Sequence, residues 1–438
     1  MLDNSIRDNF IKIIEEELVP AMGCTEPIAL AFAAAMGRRY LSEVPQQIIA
    51  KCSGNMIKNV RCVKIPNSNG MMGIEAAAVL GALSGDAQKG MEVLAGVKEE
   101  GIVATKRFLD EKRCSVEYLD SDIPLHFIIV EKNDEDQVEV EIRYAHTNIV
   151  SIKKNGIEAL GQDSNRDTKS GDADQSAKED VTQKKADRSL LSIDNIKKFA
   201  DEIEISAIKH IYDRQIQCNM DIAYEGMSGN YGLGIGRIIR QQYEESVITR
   251  MKAFASAASE ARMGGCDMPV IINSGSGNQG IASSVPIIVY AREKNIPQET
   301  LYRSLVFASL LTTYQKEFIG RLSAFCGAVS ASCASGAAIT YMVGGSTKQI
   351  KDTIDNTLAN IPGIICDGAK VSCAAKIASS IDAAMMAHFL AMNGQAYEAY
   401  TGILKEEAGE TITCVGHIAK EGMRQTDKEI IKLMLTNG

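Results

Sequence analysis

Residues 304–345, SLVFASLLTTYQKEFIGRLSAFCGAVSASCASGAAITYMVGG, form the stretch that decides the fold. This stretch is strongly apolar and unusually rich in Ala, Gly and Ser, and its texture is helical. Helices built from small residues approach one another closely, so we expect central helices of a compact bundle here. No apolar run in the chain approaches the ~20 residues that a bilayer span requires.

The sequence on either side of this stretch extends the helical pattern. From Leu190 to the end, apolar residues recur at helical spacing, interrupted by glycine-rich segments. Residues 48–158 differ, because strand-like pieces are broken there by Gly, Asn and Pro. LHFIIVEK (125–132) and QVEVEIRYAHTNIVSIKKN (137–155) alternate apolar and polar residues, and the NDEDQ junction fits a hairpin. A small α/β domain is therefore predicted over 48–158.

The complete prediction is an α+β fold with four segments. A mainly helical catalytic domain with glycine-rich loops occupies 190–438, joined by N-terminal helices over 1–47, and the smaller α/β domain of 48–158 is inserted. Residues 159–189 are almost entirely polar and charged. Such a segment buries too little apolar surface to offset its ordering entropy, which predicts a disordered insertion.

Composition narrows the class of protein. The chain has 438 residues, a net charge of −9, no Trp and 11 Cys. An acidic chain without a basic stripe argues against nucleic-acid binding, and MLDNSIRDNFIKIIEEEL has no apolar signal-peptide core. We therefore expect a cytoplasmic protein with no membrane partner and free cysteines. A homo-oligomer is compatible with this composition.

AMGCTEPIAL, residues 21–30, places Cys24 at the predicted start of a helix running from about Glu26 to Leu41. Thr25 is a favoured N-cap residue, and Pro is tolerated in the first helical turn. The positive end of a helix lowers the pKa of a nearby thiol. Cys24 is accordingly either a reactive thiolate or a small residue at a turn.

INSGSGNQG, residues 272–280, contains a literal G-x-G-x-x-G pattern. A dinucleotide site needs a following helix, a second strand and an acidic residue, and these are hard to place after it. A loop whose backbone amides bind a small carboxylate suits the residues better, and a purely structural turn is the alternative. The anion-binding candidates are Asn273, Ser274, Gly275, Ser276, Gly277 and Asn278.

Four cysteines of the C-terminal half form two pairs with the same spacing. Cys326 and Cys333 are seven residues apart, as are Cys366 and Cys373. Thiolates favour soft metals and iron–sulfur clusters, but buried structural cysteines remain the alternative. YAHTNIV adds a polar strand edge, His146, Thr147 and Asn148, that is a candidate to face a substrate.

GCTEPIALA, SGSGNQG, YAHTNIV and the cysteine pair around CDGAK together resemble the L-cysteine desulfidase family, which is related to the iron–sulfur L-serine dehydratases. The resemblance spans nearly the whole chain except the insertion. It implies a [4Fe–4S] cluster bound by one cysteine and by a pair forty residues later. Cys326, Cys366 and Cys373 match that pattern, and Cys24 matches the N-terminal base of the family.

The implied reaction is β-elimination from L-cysteine to pyruvate, ammonia and sulfide, without pyridoxal phosphate, with an open cluster iron acting as a Lewis acid. The loop of residues 273–280 would hold the substrate carboxylate, and Thr25, Glu26 and residues 146–148 are further contacts. Two alternatives stay open: an L-serine or L-threonine dehydratase with the same site, and a non-catalytic iron–sulfur amino-acid sensor.

Overall fold

The computed structural model describes residues 2–160, 186–320 and 322–436. Helices predominate and are accompanied by two small sheets, so the α+β prediction is confirmed. The chain begins with helix α1 (Asn4–Glu17), strand β1 (Pro20–Met22) and helix α2 (Thr25–Arg38). A smaller unit follows, made of β2 (Gln47–Cys52), α3 (Gly54–Val60), α4 (Gly73–Ser84), α5 (Glu99–Asp110), β3 (Cys114–Tyr118), β4 (His126–Lys132), β5 (Gln137–Arg143), β6 (Ile149–Lys154) and β7 (Ile157–Glu158).

The smaller unit is built on a six-stranded sheet with strand order β3-β2-β4-β5-β6-β7. β2 and β3 are parallel, and the other neighbours are antiparallel. The hairpin predicted at the NDEDQ junction is present, with Lys132 opposite Gln137. Successive side chains of a strand point to opposite faces of the sheet. In β5, Val138, Val140 and Ile142 are buried on one face, while the residues between them are partly exposed on the other.

The core of the smaller unit lies between this sheet and helices α2 and α4. The two helices are in close contact, since a Cβ atom at Gly81 would overlap the backbone of Ala31. The prediction groups residues 1–47 with the helical body, but their packing divides them. α1 joins the large helical core through Phe10 and Ile14, whereas α2 covers the sheet. The apolar face of α2 is the physical reason, because the sheet offers it a matching surface.

The larger unit consists of helices around one apolar core. Its elements are α6 (Ile193–Glu202), α7 (Ile205–Ser228), α8 (Ile235–Gln242), α9 (Val247–Met263), β8 (Pro269–Ile271), α10 (Gly277–Glu293), α11 (Gln298–Ile319), α12 (Gly327–Met342), α13 (Thr347–Asn360), α14 (Cys373–Met392), α15 (Ala408–His417) and α16 (Arg424–Thr436). β8 pairs antiparallel with β1, and this pairing joins the start of the chain to the larger unit.

The predicted insertion, 159–189, falls for the most part outside the described residues. Where the description resumes, Arg188 forms ion pairs with Glu16 at 2.9 Å and with Glu17 at 2.5 Å, both on α1. Within the described ranges, no helix combines the length and the apolar character that crossing a membrane requires.

Candidate active site

Four helices begin at the candidate site, and three of the four cysteines that match the family pattern lie at those beginnings. Cys24 is the N-cap of α2, Cys326 is the N-cap of α12, and Cys373 is the first residue of α14. The fourth helix, α10, starts at Gly277 at the end of the glycine-rich loop. Helix N-termini carry partial positive charge and free N–H groups, so their convergence favours bound anions.

Direct contacts tie these helix starts together. The Thr25 hydroxyl donates to the Gly275 carbonyl at 3.0 Å, linking α2 to the loop before α10. A Cβ atom at Gly327 would lie 2.6 Å from Cδ of Gln279, so the first turns of α12 and α10 are in contact. Cys24 and Cys373 belong to one small buried cluster, which links α2 to α14.

Backbone pairing sets Cys326 beside Cys366. The Cys326 amide donates to the Ile364 carbonyl at 2.8 Å, and the Cys366 amide donates to the Ala324 carbonyl at 2.6 Å. The Cys326 thiol donates a hydrogen bond to the Cys366 sulfur, which lowers the pKa of Cys366 below its ordinary value. Cys373 is close enough to act electrostatically on both. The three cysteines therefore form one group.

Two lysines bring positive charge to this group, and both further lower the pKa of Cys366. Lys58 comes from α3 of the smaller unit; its side chain is fully buried and pairs with Asp427 at 2.5 Å. Lys376 of α14 donates to the Ile365 carbonyl and to the Asp367 carboxylate, each at 2.8 Å. Cationic neighbours of this kind stabilise thiolates, the form in which cysteine binds metals.

The donor set fits an iron–sulfur cluster. Cys326, Cys366 and Cys373 are soft ligands, two of them at helix N-termini, and two cations lie beside the group. Cys333 is not part of the group: it lies in the large core, bonds to Thr357, and burial raises its pKa to about 12. In the part of the chain that is described, no three His, Cys, Asp or Glu side chains are arranged to hold a single metal ion. In a [4Fe–4S] cluster each cysteine binds its own iron, so its ligands need not converge on one point.

The structure corrects two expectations about the start of α2. Cys24, rather than Thr25, is the N-cap residue, and it makes no side-chain capping bond. The pKa of Cys24 is raised well above its ordinary value instead of lowered, first by burial and then by the negative charge of Glu26, with Arg262 opposing. Taking a thiolate out of water costs more free energy than its attraction to the positive end of the helix provides. The Cys24 thiol donates to the Glu26 carboxylate at 3.1 Å.

The glycine-rich loop divides into two parts. The side chains of Asn273 and Ser274 turn inward, where Asn273 donates to the Ser309 carbonyl at 3.2 Å and accepts from Ser274 at 2.8 Å. These two residues brace the turn, in which Ser274 and Gly275 have φ of 49° and 78°. The second part, Ser276, Gly277 and Asn278, forms the start of α10. In the described ranges β8 pairs only with β1, so the strand–helix–strand unit of a dinucleotide site is not formed.

Residues 146–148 lie in the connection between β5 and β6. His146 is buried, Thr147 is exposed, and Asn148 donates to the Arg143 carbonyl at 2.9 Å. The Asn148 bond helps to fix the shape of this turn. A role of this segment in binding substrate stays a prediction.

Arg262 is the main site residue that sequence reasoning missed. It lies in the last turn of α9, is 2% exposed, and acts electrostatically on both Cys24 and Cys373. In the sequence it is one basic residue in a helical stretch, ASEARMGG, and nothing local marks it as buried. Lys58 and Gln279 were missed for the same reason.

A cavity of about 880 Å³ lies next to the cysteine group. It is bounded by the edge of the smaller unit, by residues of the α11–α12 connection, and by α16 and the segment just before it. Asn55, Ala324 and Asp427 are among its lining residues. It shares a wall with the cysteine group through Ala324, which bonds to Cys366, and through Asp427, which pairs with Lys58.

The fold and the site together define a mainly helical α+β protein in which three cysteines are gathered where several helices begin. The chain belongs to the serine dehydratase alpha chain family, whose sequence model matches residues 88–432. That match includes Cys326, Cys366, Cys373 and the glycine-rich loop, and it begins after Cys24.

Relatives of full length extend the similarity to the N-terminal region. The UPF0597 protein of Lachnoclostridium phytofermentans is 44% identical over 425 residues, covering 97% of this chain and 99% of its own. The UPF0597 protein of Desulfitobacterium hafniense is 44% identical over 426 residues, covering 97% and 96%. That of Treponema denticola is 42% identical over 439 residues, covering 99% of both chains.

Proposed function

We propose that this protein is a [4Fe–4S]-dependent L-cysteine desulfidase, a lyase that converts L-cysteine and water to pyruvate, ammonia and sulfide. The observation that carries the proposal is that Cys24 lies in the same small buried cluster as Cys373 of the C-terminal cysteine group. Residues far apart in the chain thus supply three candidate cluster ligands and, near them, the thiol of Cys24 paired with the carboxylate of Glu26. The family membership supports the same class of elimination chemistry.

Cys326, Cys366 and Cys373 would hold the cluster. When bound, the cluster supplies an iron without a cysteine ligand, which acts as a Lewis acid toward the substrate. Lys58 and Lys376 offset negative charge at the cysteine ligands, and the small cluster around Cys24 keeps water away.

Cys24 Sγ accepts the α-proton of the substrate in this proposal. For that it must first lose its own proton, and Glu26 Oε2, at 3.1 Å, is the acceptor that the geometry supplies. The raised pKa of the Cys24 thiol makes its thiolate a strong base once formed. Thr25 Oγ1 also lies 3.0 Å from Glu26 Oε2, so its one hydroxyl proton is shared between that carboxylate and the Gly275 carbonyl.

L-Serine dehydration is the second candidate, because the matching family carries that name. It differs only in the leaving group, water in place of sulfide. The sensor alternative predicts a closed four-cysteine cage that includes Cys333. The engagement of Cys333 with Thr357 in the large core argues against that cage.

Anaerobic purification followed by assays of sulfide release from L-cysteine and pyruvate formation from L-serine tests the proposal. We expect a brown protein that prefers cysteine and loses activity in air. Cys24→Ala should keep the cluster absorption and lose about 10²–10⁴-fold in turnover, the usual contribution of a general base. Cys366→Ser should lose both colour and turnover.

Cys333→Ser is the matched control, since it makes the same change on α12 outside the group, and it should keep both properties. A colourless anaerobic protein with full activity would rule out the cluster mechanism. Much greater efficiency with serine would replace the desulfidase by the dehydratase. A Cys24→Ala variant with unchanged turnover would remove Cys24 from the role of base.

A further inference from the structure

Arg262 is a buried cation whose hydrogen-bonding capacity is largely unused. It is 2% exposed, and its Nη1 donates to Asn278 Oδ1 at 3.2 Å. Its Nε and Nη2 atoms are buried and have no hydrogen-bond partner among the described residues. Ser259 donates to the same Asn278 oxygen at 3.1 Å, which fixes the amide that holds the guanidinium.

The unused donors are the two on one edge of the guanidinium, and they form a fork that matches a carboxylate. A buried charge without a counter-ion is costly, and no ion pair satisfies Arg262 within the described ranges. An anionic partner that binds at this position would remove that cost.

The position of the fork coincides with the start of α10. A Cβ atom at Gly277 would overlap Arg262 Nε, so the guanidinium lies directly against the first residue of the helix. Asn278, the next residue, is its hydrogen-bond partner. A 17-residue helix therefore presents its positive end beside two unpaired donors of a buried cation. The charge of Arg262 also reaches Cys24 and Cys373 on the other side of the site.

We propose that Arg262 and the first turn of α10 together form the subsite that binds the α-carboxylate of a small amino acid. The proposal rests on the proposed function, because it assigns a part of the same site. It moves the main carboxylate contact from the side chains of Asn273 and Ser274, which brace the turn, to the guanidinium fork. The site therefore requires a free carboxylate and rejects the corresponding amide.

Calorimetric titration of the anaerobic holoprotein with L-alanine and L-alaninamide tests this subsite, since neither compound has a leaving group and only one has a carboxylate. We expect the wild-type protein to bind L-alanine and to discriminate against L-alaninamide. Arg262→Gln should weaken L-alanine binding about 10- to 100-fold, the effect of losing charge-assisted hydrogen bonds. It should raise the KM for L-cysteine more than it lowers kcat.

Two further variants separate binding from folding. Gly277→Ala keeps the arginine but displaces its fork, while alanine suits a helix better than glycine, so it should reproduce the carboxylate-specific loss. Arg262→Lys keeps the charge without the fork and should be intermediate. Arg250→Gln, on the same helix and paired with Glu245 and Glu293, is the matched control and should bind L-alanine like the wild type.

Unchanged L-alanine affinity in Arg262→Gln would overturn the subsite, and loss of cluster absorption with unchanged affinity would assign Arg262 to the cluster instead. These outcomes are distinct from failure of the proposed function. If the wild-type protein binds L-alanine through Arg262 but releases no sulfide, the subsite stands and the desulfidase assignment falls. If sulfide release is normal and substitution of Arg262 does not change the KM, the desulfidase assignment stands and the subsite falls.

Discussion

Glu131 is a buried carboxylic acid, and its ionisation should make the stability of the folded protein depend strongly on pH. It lies on β4 on the face that α2 covers, is 0% exposed, and neither carboxyl oxygen has a hydrogen-bond partner among the described residues. A Cβ atom at Gly37 of α2 would lie 2.8 Å from its Oε2. Burial raises the pKa of Glu131 well above its ordinary value, and Arg38 opposes this shift only in part.

The sign of the effect follows from proton binding. Because the pKa of Glu131 is raised in the folded state, the folded protein holds this proton over a pH range in which the unfolded chain has released it. The free energy of unfolding therefore falls as the pH rises above about 4.3, the ordinary pKa of Glu. Wherever the folded protein keeps this proton and the unfolded chain has released it, the slope is about 1.4 kcal/mol for each pH unit.

Glu131→Gln removes the titrating group and keeps the shape of the side chain. Its buried amide costs about 1–3 kcal/mol, but that cost is the same at every pH. Urea unfolding of wild type and variant at pH 5, 6 and 7 should show the variant gaining stability relative to the wild type as the pH rises, by up to about 1.4 kcal/mol for each pH unit. Glu139→Gln, on the opposite face of the neighbouring strand, is the control. A constant difference between Glu131→Gln and wild type at all three pH values would refute the reasoning.

Two further predictions concern packing and buried polar contacts, and urea unfolding measures both. Gly81→Ala places a methyl group against the backbone of Ala31. It should lower the free energy of unfolding by about 2 kcal/mol, although alanine has the better helix propensity. An unchanged free energy of unfolding would mean that α2 and α4 can move apart without cost. Asn219→Leu leaves the buried Ile271 amide, now bonded to Asn219 at 2.8 Å, without an acceptor and should cost about 3 kcal/mol. Gln217→Leu, exposed on the same helix, is its control, and equal losses in the two variants would contradict this role of Asn219.

Much of the local structure could be predicted from the sequence. Period-two alternation predicted the β4–β5 hairpin, and it formed with Lys132 opposite Gln137. The Cys24–Pro27 segment predicted a helix start, observed one residue before the expected Glu26. These features depend on hydrogen bonds and side-chain periods within a few residues, so they are visible in a short window.

The sequence by itself determined the α+β class, the cysteine spacing and the places where helices begin. Only the tertiary structure decided that four helix starts meet, that Arg262 and Glu131 are buried, and that the pKa of Cys24 is raised instead of lowered. The reason is physical. Burial and electrostatic interaction depend on neighbours that are distant in the chain, such as Arg262 beside Gly277 and Cys373 in the same buried cluster as Cys24, and no local pattern records those neighbours.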